Sequence, residues 1–343
     1  MKGKTVSEQL AEGLCEGHKT HGFNDLHDPS TPIDFWFQQS KEGVILFVVF
    51  YTLACRWAKC ISCVLPSLGS SRYVDGEEIK KQADWFLGHR DIQPKNATIN
   101  KLVISNNGSV LDRETFSPDA LRYFLERALD QFPALSAISI ESRPEYVELD
   151  DLSLISDILK SKKDRQVSLE IAIGLEAFDD HIRNDVLKKG LNKIALAALA
   201  KNLARHGFKL KAYVMQKPVP GMSDRDALID VIDCARYLTD LMLQNPGLTV
   251  NMHLNPTYAT NGTDLGRAFL AGQYKPPKVF DVARAVLATE QMPITIFVGT
   301  SDEGLAIRGG AFLGPDENNL RSAFETFNST HDFSIMRSML TKK

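Results

Sequence analysis

Apolar segments of two kinds alternate along most of the chain. The residues at 44–51 (VILFVVFY) form a continuous run of β-branched, aliphatic and aromatic side chains, which is typical of a strand buried on both faces. Further strands are predicted at 99–105, 136–140, 167–173, 209–215, 248–254 and 294–298. Segments with apolar residues three and four apart lie between them and predict helices at 75–87, 118–131, 152–160, 179–188, 191–206, 224–243 and 279–289.

This alternation predicts an α/β fold with parallel strands, because each helical crossover is long enough to return the chain to the same edge of a sheet. Six or seven such units predict a partial (β/α)6 TIM-like barrel, with a doubly wound open sheet as the alternative. We divide the chain into an N-terminal extension (1–40), a core barrel (41–300) and a C-terminal extension (301–343). We expect the N-terminal extension to be polar and irregular, apart from a short helix at its start.

Composition and charge narrow the class of protein. The 343 residues are 43% hydrophobic and 24% charged, as in ordinary globular proteins, and the net charge of −3 provides no overall attraction to nucleic acid or anionic membranes. The N terminus has no apolar segment typical of a signal peptide, and the apolar run at 44–54 is far shorter than the roughly 20 residues that span a bilayer. We therefore expect a cytoplasmic protein without a membrane segment.

Three cysteines lie shortly after the first predicted strand. Cys55, Cys60 and Cys63 are spaced C-x4-C-x2-C, which is a spacing typical of thiolates that hold an iron–sulfur cluster. Three ligands leave one iron of a [4Fe–4S] cluster without a protein ligand, so that a substrate or cosubstrate can bind there. A structural zinc site, which normally takes four ligands, and three unliganded cysteines are the alternatives. The two remaining cysteines, Cys15 and Cys234, are read as ordinary residues.

Short motifs at later strand ends point to one superfamily. They are 107–112 (NGSVLD), 141–147 (ESRPEYV), 170–176 (EIAIGLE), 255–257 (NPT) and 273–277 (QYKPP). Together with the cysteines, they resemble the radical S-adenosylmethionine superfamily, in the branch of the Elongator catalytic subunit and the methylthiotransferases. Their order is most similar to that in the radical enzyme subunit of archaeosine synthase. The first cysteine gap is four residues where that superfamily usually has three, and Ser62 stands where an aromatic residue is common.

This resemblance implies a partial barrel of the radical S-adenosylmethionine type. It implies that the three cysteines hold a catalytic [4Fe–4S] cluster whose open iron binds S-adenosyl-L-methionine. Reductive cleavage of that cosubstrate would give a 5′-deoxyadenosyl radical, which abstracts hydrogen from a substrate. The implied substrate is a modified nucleoside in tRNA or a small molecule, and the implied electron donor is a flavodoxin- or ferredoxin-type protein.

The resemblance also implies which side chains contact the cosubstrate. They lie at the ends of the second, third and fourth predicted strands and are Asn107, Gly108, Ser109, Glu141, Arg143, Glu170 and Glu176. For Glu141 and Arg143, an ion pair at the barrel mouth is the alternative interpretation. A methylthiotransferase would need a second cysteine trio, which this sequence lacks. The alternative function is a zinc-stabilised or degenerate barrel that acts as a binding scaffold.

Overall fold

The computed structural model describes residues 5–341, which build one eight-stranded sheet with helices against one of its faces. The strands lie side by side in the order of the sequence. Strand β1 is antiparallel to β2, and β2 to β8 are parallel to one another. The strands are β1 (Asp34–Ser40), β2 (Gly43–Val49), β3 (Ile99–Ser105), β4 (Ala137–Ser142), β5 (Ser168–Glu176), β6 (Lys209–Gln216), β7 (Thr249–Pro256) and β8 (Thr295–Val298).

Helices connect the parallel strands and close both ends of the described chain. They are α1 (Val6–Glu16), α2 (Gly76–Leu87), α3 (Pro118–Gln131), α4 (Leu149–Lys160), α5 (Lys193–His206), α6 (Asp224–Gln244), α7 (Asp264–Leu270), α8 (Val279–Leu287), α9 (Asn318–Thr330) and α10 (Phe333–Thr341). A π-helical turn, His181–Val186, precedes α5 where a helix over 179–188 is predicted. None of the helices within residues 5–341 is both long and apolar enough to cross a membrane.

The predicted α/β partial barrel is confirmed, and its seven parallel strands agree with the six or seven units that the sequence predicts. A doubly wound sheet would reverse its strand order at one point, whereas this order runs from β1 to β8 without reversal. The sheet is strongly curled. Glu42, in the turn between β1 and β2, contacts Lys209 of β6 at 3.0 Å. In a flat sheet these strands would lie about 19 Å apart, at roughly 4.8 Å per step.

Strand β1 is an antiparallel edge strand that the sequence analysis did not predict. In its sequence, DFWFQQS, three consecutive aromatic residues follow Asp34, so the strand shows no apolar–polar alternation. It joins β2 through a tight turn in which Gly43 has a φ of 98°, a conformation that favours glycine. The turn therefore gives a signal for a hairpin, although the strand's own pattern does not.

The two faces of the sheet differ in character. The outer face carries apolar side chains such as Leu46, Leu102 and Leu210, which pack with the helices in the main hydrophobic core. The inner face carries many polar side chains, whereas the interior of a closed TIM barrel is usually packed with branched apolar residues. These inward residues include Lys101, Ser105, Ser139, Glu141, Glu170, Lys209, Lys211, Tyr213, Asn251, His253 and Thr295. The concave side is therefore built to contact polar groups.

Helix α9 covers the gap between the two edge strands of the curled sheet. It packs against both β1 and β8. The buried side chain of Asn328 accepts a hydrogen bond from the backbone N–H of Val298 and donates one to its carbonyl, both at 2.8 Å. The carbonyl of Asn328 accepts a hydrogen bond from the N–H of Lys41, at 3.0 Å. One asparagine thus pairs with the edge of β8 as a further strand would.

Replacing Asn328 by Leu is expected to lower the free energy of unfolding by about 2–4 kcal/mol, because both backbone groups of Val298 lose their partner while remaining buried. Urea unfolding followed by circular dichroism measures the change. Asn319→Leu, at an exposed position on the same helix, is the matched control and is expected to change the free energy by less than about 0.5 kcal/mol. Equal losses in both variants would contradict the role assigned to Asn328.

Candidate functional site

The loop after β2 carries the three clustered cysteines at the carboxyl edge of the parallel strands. Cys55, Cys60 and Cys63 are all half-buried, and none forms a disulfide. The backbone N–H of Cys63 donates to the carbonyl of Cys60 at 3.1 Å, which gives this part of the loop a tight turn. A single parallel bridge between Leu53 and Ser70 holds the two ends of the loop together.

The end of β3 lies directly against this loop. A Cβ atom on Gly108 would lie 3.2 Å from the Cα of Cys55, closer than nine in ten Cβ contacts, so a side chain here would push the loop slightly away. Asn107 has a positive φ of 57°, and its N–H donates to the hydroxyl of Ser105 at 3.1 Å. The hydroxyl of Ser109 is buried without a hydrogen-bond partner among the described residues. The sequence-predicted trio at 107–109 therefore meets the first cysteine.

Gly108→Val is expected to displace the loop around Cys55 and to raise the rate at which iodoacetamide labels that thiol by about threefold or more. Mass spectrometry of the labelled peptide measures the rate. Gly22→Val is the matched control, because a side chain at Gly22 would meet no atom within 4 Å. An unchanged rate in Gly108→Val would mean that the close approach does not position Cys55.

Helix α1 packs against the cysteine loop from the other side. Side chains at Gly13 and Gly17 would collide with backbone atoms of residues 57–59, so both glycines allow the helix to approach closely. Lys19, just after the helix, donates from Nζ to the carbonyls of Cys60 and Cys63. The sequence analysis did not identify Lys19 as a site residue. The four-residue spacing of the two glycines on one helix face is the signal that could have indicated this packing.

Positive charges surround thiols that burial would keep protonated. Burial raises the pKa of Cys63 to about 12, while the ammonium group of Lys19 opposes this increase. Burial also raises the pKa of Cys60, against the influence of Lys189 and Arg143. Cys55 lies close enough to contribute to the raised pKa of both Cys60 and Cys63. The nearby positive charges would stabilise negative charge on sulfur once a metal replaces the thiol protons.

Arg143 positions the cysteine loop through Trp57. Its guanidinium carbon lies 4.5 Å from the centre of the Trp57 ring, and it donates to the carbonyls of Lys189 and Gly190 at 2.9 and 3.2 Å. The indole N–H of Trp57 donates to the carbonyl of Lys188 at 2.7 Å. These contacts connect the loop to the segment between the π-helical turn and α5. Sequence reasoning singled out Arg143 but could not show that Trp57 stacks on it.

The alternative ion pair between Glu141 and Arg143 is not formed. Arg143 instead pairs with Glu145 at 2.5 Å. Glu141 projects from the inner face of β4 and accepts hydrogen bonds from the hydroxyls of Ser105 and Tyr213, both at 2.5 Å. Burial, together with the nearby carboxylate of Glu141, raises the pKa of Tyr213 well above its ordinary value. Glu141 therefore belongs to the concave surface rather than to the loop that Arg143 holds.

The two glutamates predicted for the fourth parallel strand lie at opposite ends of β5. Glu176 is the last residue of the strand and forms an ion pair with Lys189 at 2.7 Å, close to the cysteine loop. Glu170 is the third residue and is fully buried against Lys101, whose Nζ lies 2.8 Å from Oε1. Six residues of strand separate them by about 20 Å. The structure therefore does not bring Glu170 together with the other predicted site residues.

The donor set fits an iron–sulfur cluster in its chemistry. Three free thiols in one loop, with no disulfide and with Lys19, Lys189 and Arg143 nearby, are suited to soft, thiolate-bound iron. In residues 5–341, no three or more His, Cys, Asp or Glu side chains are already gathered at metal-binding distances. Metal binding would therefore need the thiol groups to turn toward one another.

The fold and this loop define a class of protein, an α/β half-barrel with three free cysteines at the carboxyl edge of its parallel strands. No protein-family model matches the chain. A protein named archaeosine synthase subunit beta from Methanosarcina acetivorans is 26% identical, covering 84% of this chain and 78% of its own. Its namesake from Thermococcus kodakarensis is 22% identical, covering 87% and 89%. These matches confirm the resemblance that the motifs indicate.

An uncharacterised protein of Methanocaldococcus jannaschii is 24% identical, covering 91% of this chain and 84% of its own. Among solved structures, Elp3 of Methanocaldococcus infernus, with residues 1–46 deleted, is 16% identical with a TM-score of 0.49. SuiB of Streptococcus suis is 12% identical with a TM-score of 0.45. Each likeness covers 74% of this chain but only 58% and 48% of Elp3 and SuiB, about half of each solved protein.

Proposed function

We propose that this protein is a radical S-adenosylmethionine enzyme whose cluster is held by Cys55, Cys60 and Cys63. The observation that carries the proposal is the contact between Gly108 and Cys55, which puts the backbone at the end of β3 beside the three-cysteine loop. The likeness to two proteins named archaeosine synthase subunit beta, over most of their lengths, supports it. When bound, the [4Fe–4S] cluster would supply the electron that cleaves S-adenosylmethionine to a 5′-deoxyadenosyl radical.

The chain's own residues would bind and orient the reactants. Gly108 lets Cys55 approach the end of β3 closely, and the buried, unpartnered hydroxyl of Ser109 would contact the amino acid moiety of the cosubstrate. Lys19 and Arg143 are positioning residues, because they act on the cysteine loop through backbone carbonyls and through Trp57. Glu176 and Lys189 compensate each other's charge beside the loop. The polar inner face, including Glu141, would orient the substrate.

Anaerobic reconstitution with iron and sulfide tests this proposal. We expect a brown protein with about four irons per chain that forms 5′-deoxyadenosine when a strong reductant is added. Alanine at Cys55, Cys60 or Cys63 should abolish both the iron content and the product. The free thiols of Cys15 and Cys234 supply matched controls, since alanine at either position should retain both. A colourless protein with stoichiometric zinc would contradict the proposal and favour the zinc-stabilised scaffold.

We propose further that the substrate is a modified nucleoside in tRNA and that this chain works with a partner subunit. Two relatives are named as beta subunits of archaeosine synthase, and this name is the basis of both points. The expected electron donor is a flavodoxin- or ferredoxin-type protein. Nucleoside analysis of tRNA from cells that lack this protein should reveal one missing modification. Unchanged tRNA, with 5′-deoxyadenosine still formed by the purified enzyme, would favour a small-molecule substrate.

A further inference from the structure

A second polar chamber lies at the other end of the barrel, at the amino ends of the strands. Its volume is about 210 Å³, and its walls include Lys209, Thr249 and Thr295, which are the first residues of β6, β7 and β8. A cavity of this size exceeds the space that a single water molecule needs. The length of the strands separates it from the cysteine loop by roughly 20 Å. It is therefore separate from the three-cysteine loop, although it shares the inner face of the sheet with Glu141.

Four charged side chains of the chamber form a chain of ion pairs that is neutral as a whole. Glu42 contacts Lys209 at 3.0 Å and Lys101 at 2.7 Å, and Lys101 also contacts Glu170 at 2.8 Å. Two lysines thus match two glutamates. Lys101 and Glu170 are the buried members, and their mutual contact offsets the free energy cost of removing both charges from water.

Lys211, a fifth charged residue of the chamber, takes part in none of these ion pairs. Its side chain is buried on the same inner face of β6, two residues after Lys209. Its Nζ makes no hydrogen bond and has no carboxylate within 4 Å among residues 5–341; it faces the rings of Tyr213 and Phe47, 4.8 and 5.5 Å from their centres. Burial is also the main reason why its pKa is lowered to about 8. A buried ammonium group without an anion is costly unless an anion can reach it.

The neighbours of Lys211 provide neutral contacts for such an anion. His253 lies one step further along the inner face of β7, and its buried Nδ1 has no hydrogen-bond partner among the described residues. Burial and the nearby Lys211 lower its pKa well below the ordinary value, so the ring is uncharged at neutral pH. Asn251 and Phe297 complete the wall with an amide and an apolar ring. The exposed rim carries Lys41, which adds a second positive charge.

We propose that this chamber binds a small organic carboxylate, with Lys211 as its counter-ion and His253 and Asn251 as polar contacts. The ammonium group of Lys211, which has no ion-pair partner among the described residues, favours a negatively charged ligand, and the mixture of polar and apolar walls favours an organic anion over a fully hydrated inorganic one. The site lies away from the cysteine loop, so it does not depend on the cluster. Ligand binding here would be a property of the full chain with or without iron.

Line broadening of the proton signal of sodium acetate tests this site on the full-length protein, with sodium chloride holding the ionic strength constant. We expect saturable broadening for the unmodified protein and at least tenfold weaker binding for Lys211→Met. Lys209→Met is the matched control, because that lysine lies in the same chamber but is already paired. It should weaken binding less than about threefold.

Circular dichroism and thermal unfolding establish that each variant is folded. If Lys211→Met does not fold, His253→Phe keeps the ring contacts with Tyr213 and Phe297 and removes only the nitrogen atoms. It should weaken acetate binding at least threefold. Absent broadening, equal losses in the two lysine variants, or displacement of acetate by inorganic phosphate more readily than by propionate would each overturn the proposal.

Discussion

Lys101→Met is expected to lower the free energy of unfolding by about 3–5 kcal/mol. The lysine side chain is 4% exposed and contacts Glu42 and Glu170 at 2.7 and 2.8 Å. Methionine fills a similar volume but leaves the carboxylate of Glu170, itself 1% exposed, without an ion-pair partner among the described residues. Removing one member of a buried pair costs more than the pair contributes, because the remaining charge stays out of water.

Two variants separate this effect from a general loss of charge. Lys209→Met removes a lysine that is 29% exposed and contacts the same Glu42, so it should cost less than about 1 kcal/mol. The double variant Lys101→Met/Glu170→Met replaces the pair by apolar groups and should recover most of the loss. Urea unfolding monitored by circular dichroism measures all three. A Lys101→Met protein as stable as the unmodified chain would show that Glu170 finds another partner.

Arg183→Met is expected to cost about 3–5 kcal/mol and to loosen the segment that holds the cysteine loop. Arg183 is 1% exposed and lies in the π-helical turn. Its guanidinium donates to the carbonyls of Ala177, Phe178 and Leu191 at 2.8, 3.0 and 3.0 Å. Methionine would leave the carbonyl of Ala177 without this donor, and the carbonyls of Phe178 and Leu191 would retain only their bonds from Lys193 and Asn184.

Arg183→Met is also expected to loosen the cysteine loop. Lys188 and Lys189 follow the turn, and their carbonyls accept hydrogen bonds from Trp57 and Arg143. Hydrogen exchange of residues 55–63 should therefore become faster in Arg183→Met under conditions where the protein is still folded. Arg122→Met, at a side chain 57% exposed on α3, should change neither stability nor exchange appreciably. Unchanged exchange in the loop would mean that the turn does not support it.

The architecture was predictable because strands and helices have different periods. In β6, the sequence KLKAYVMQ alternates, with Leu210 and Val214 facing the helices and Lys211 and Tyr213 facing inward. The outward residues identify a strand and its partner layer from the sequence alone. Which inward residues meet depends on how far the sheet curls, and no local pattern encodes that. The contact of Glu42 with Lys209 is therefore visible only in the structure.

The candidate site was predictable where it depends on the ends of consecutive strands. The cysteines and the glycine at 108 follow consecutive parallel strands, and such strand ends meet at one edge of a sheet. The roles of Lys19 and Trp57 in positioning the loop were not predicted, because they arise from contacts with Cys63 and Lys188 that strand order does not imply. Glu170 was grouped with the site because it shares a strand with Glu176, although position along a strand decides which end a side chain reaches.

The gap between β1 and β8, which α9 covers, has a consequence for biosynthesis. A ribosome releases the chain from its N terminus, so β1 and β8 are both available before the helix that covers the gap between them. Until Asn328 reaches Val298, both strands present unpaired backbone groups to any other extended chain. Messages truncated before residue 318 should therefore yield insoluble or edge-paired products, and a chaperone that shields sheet edges would act on this protein late in translation.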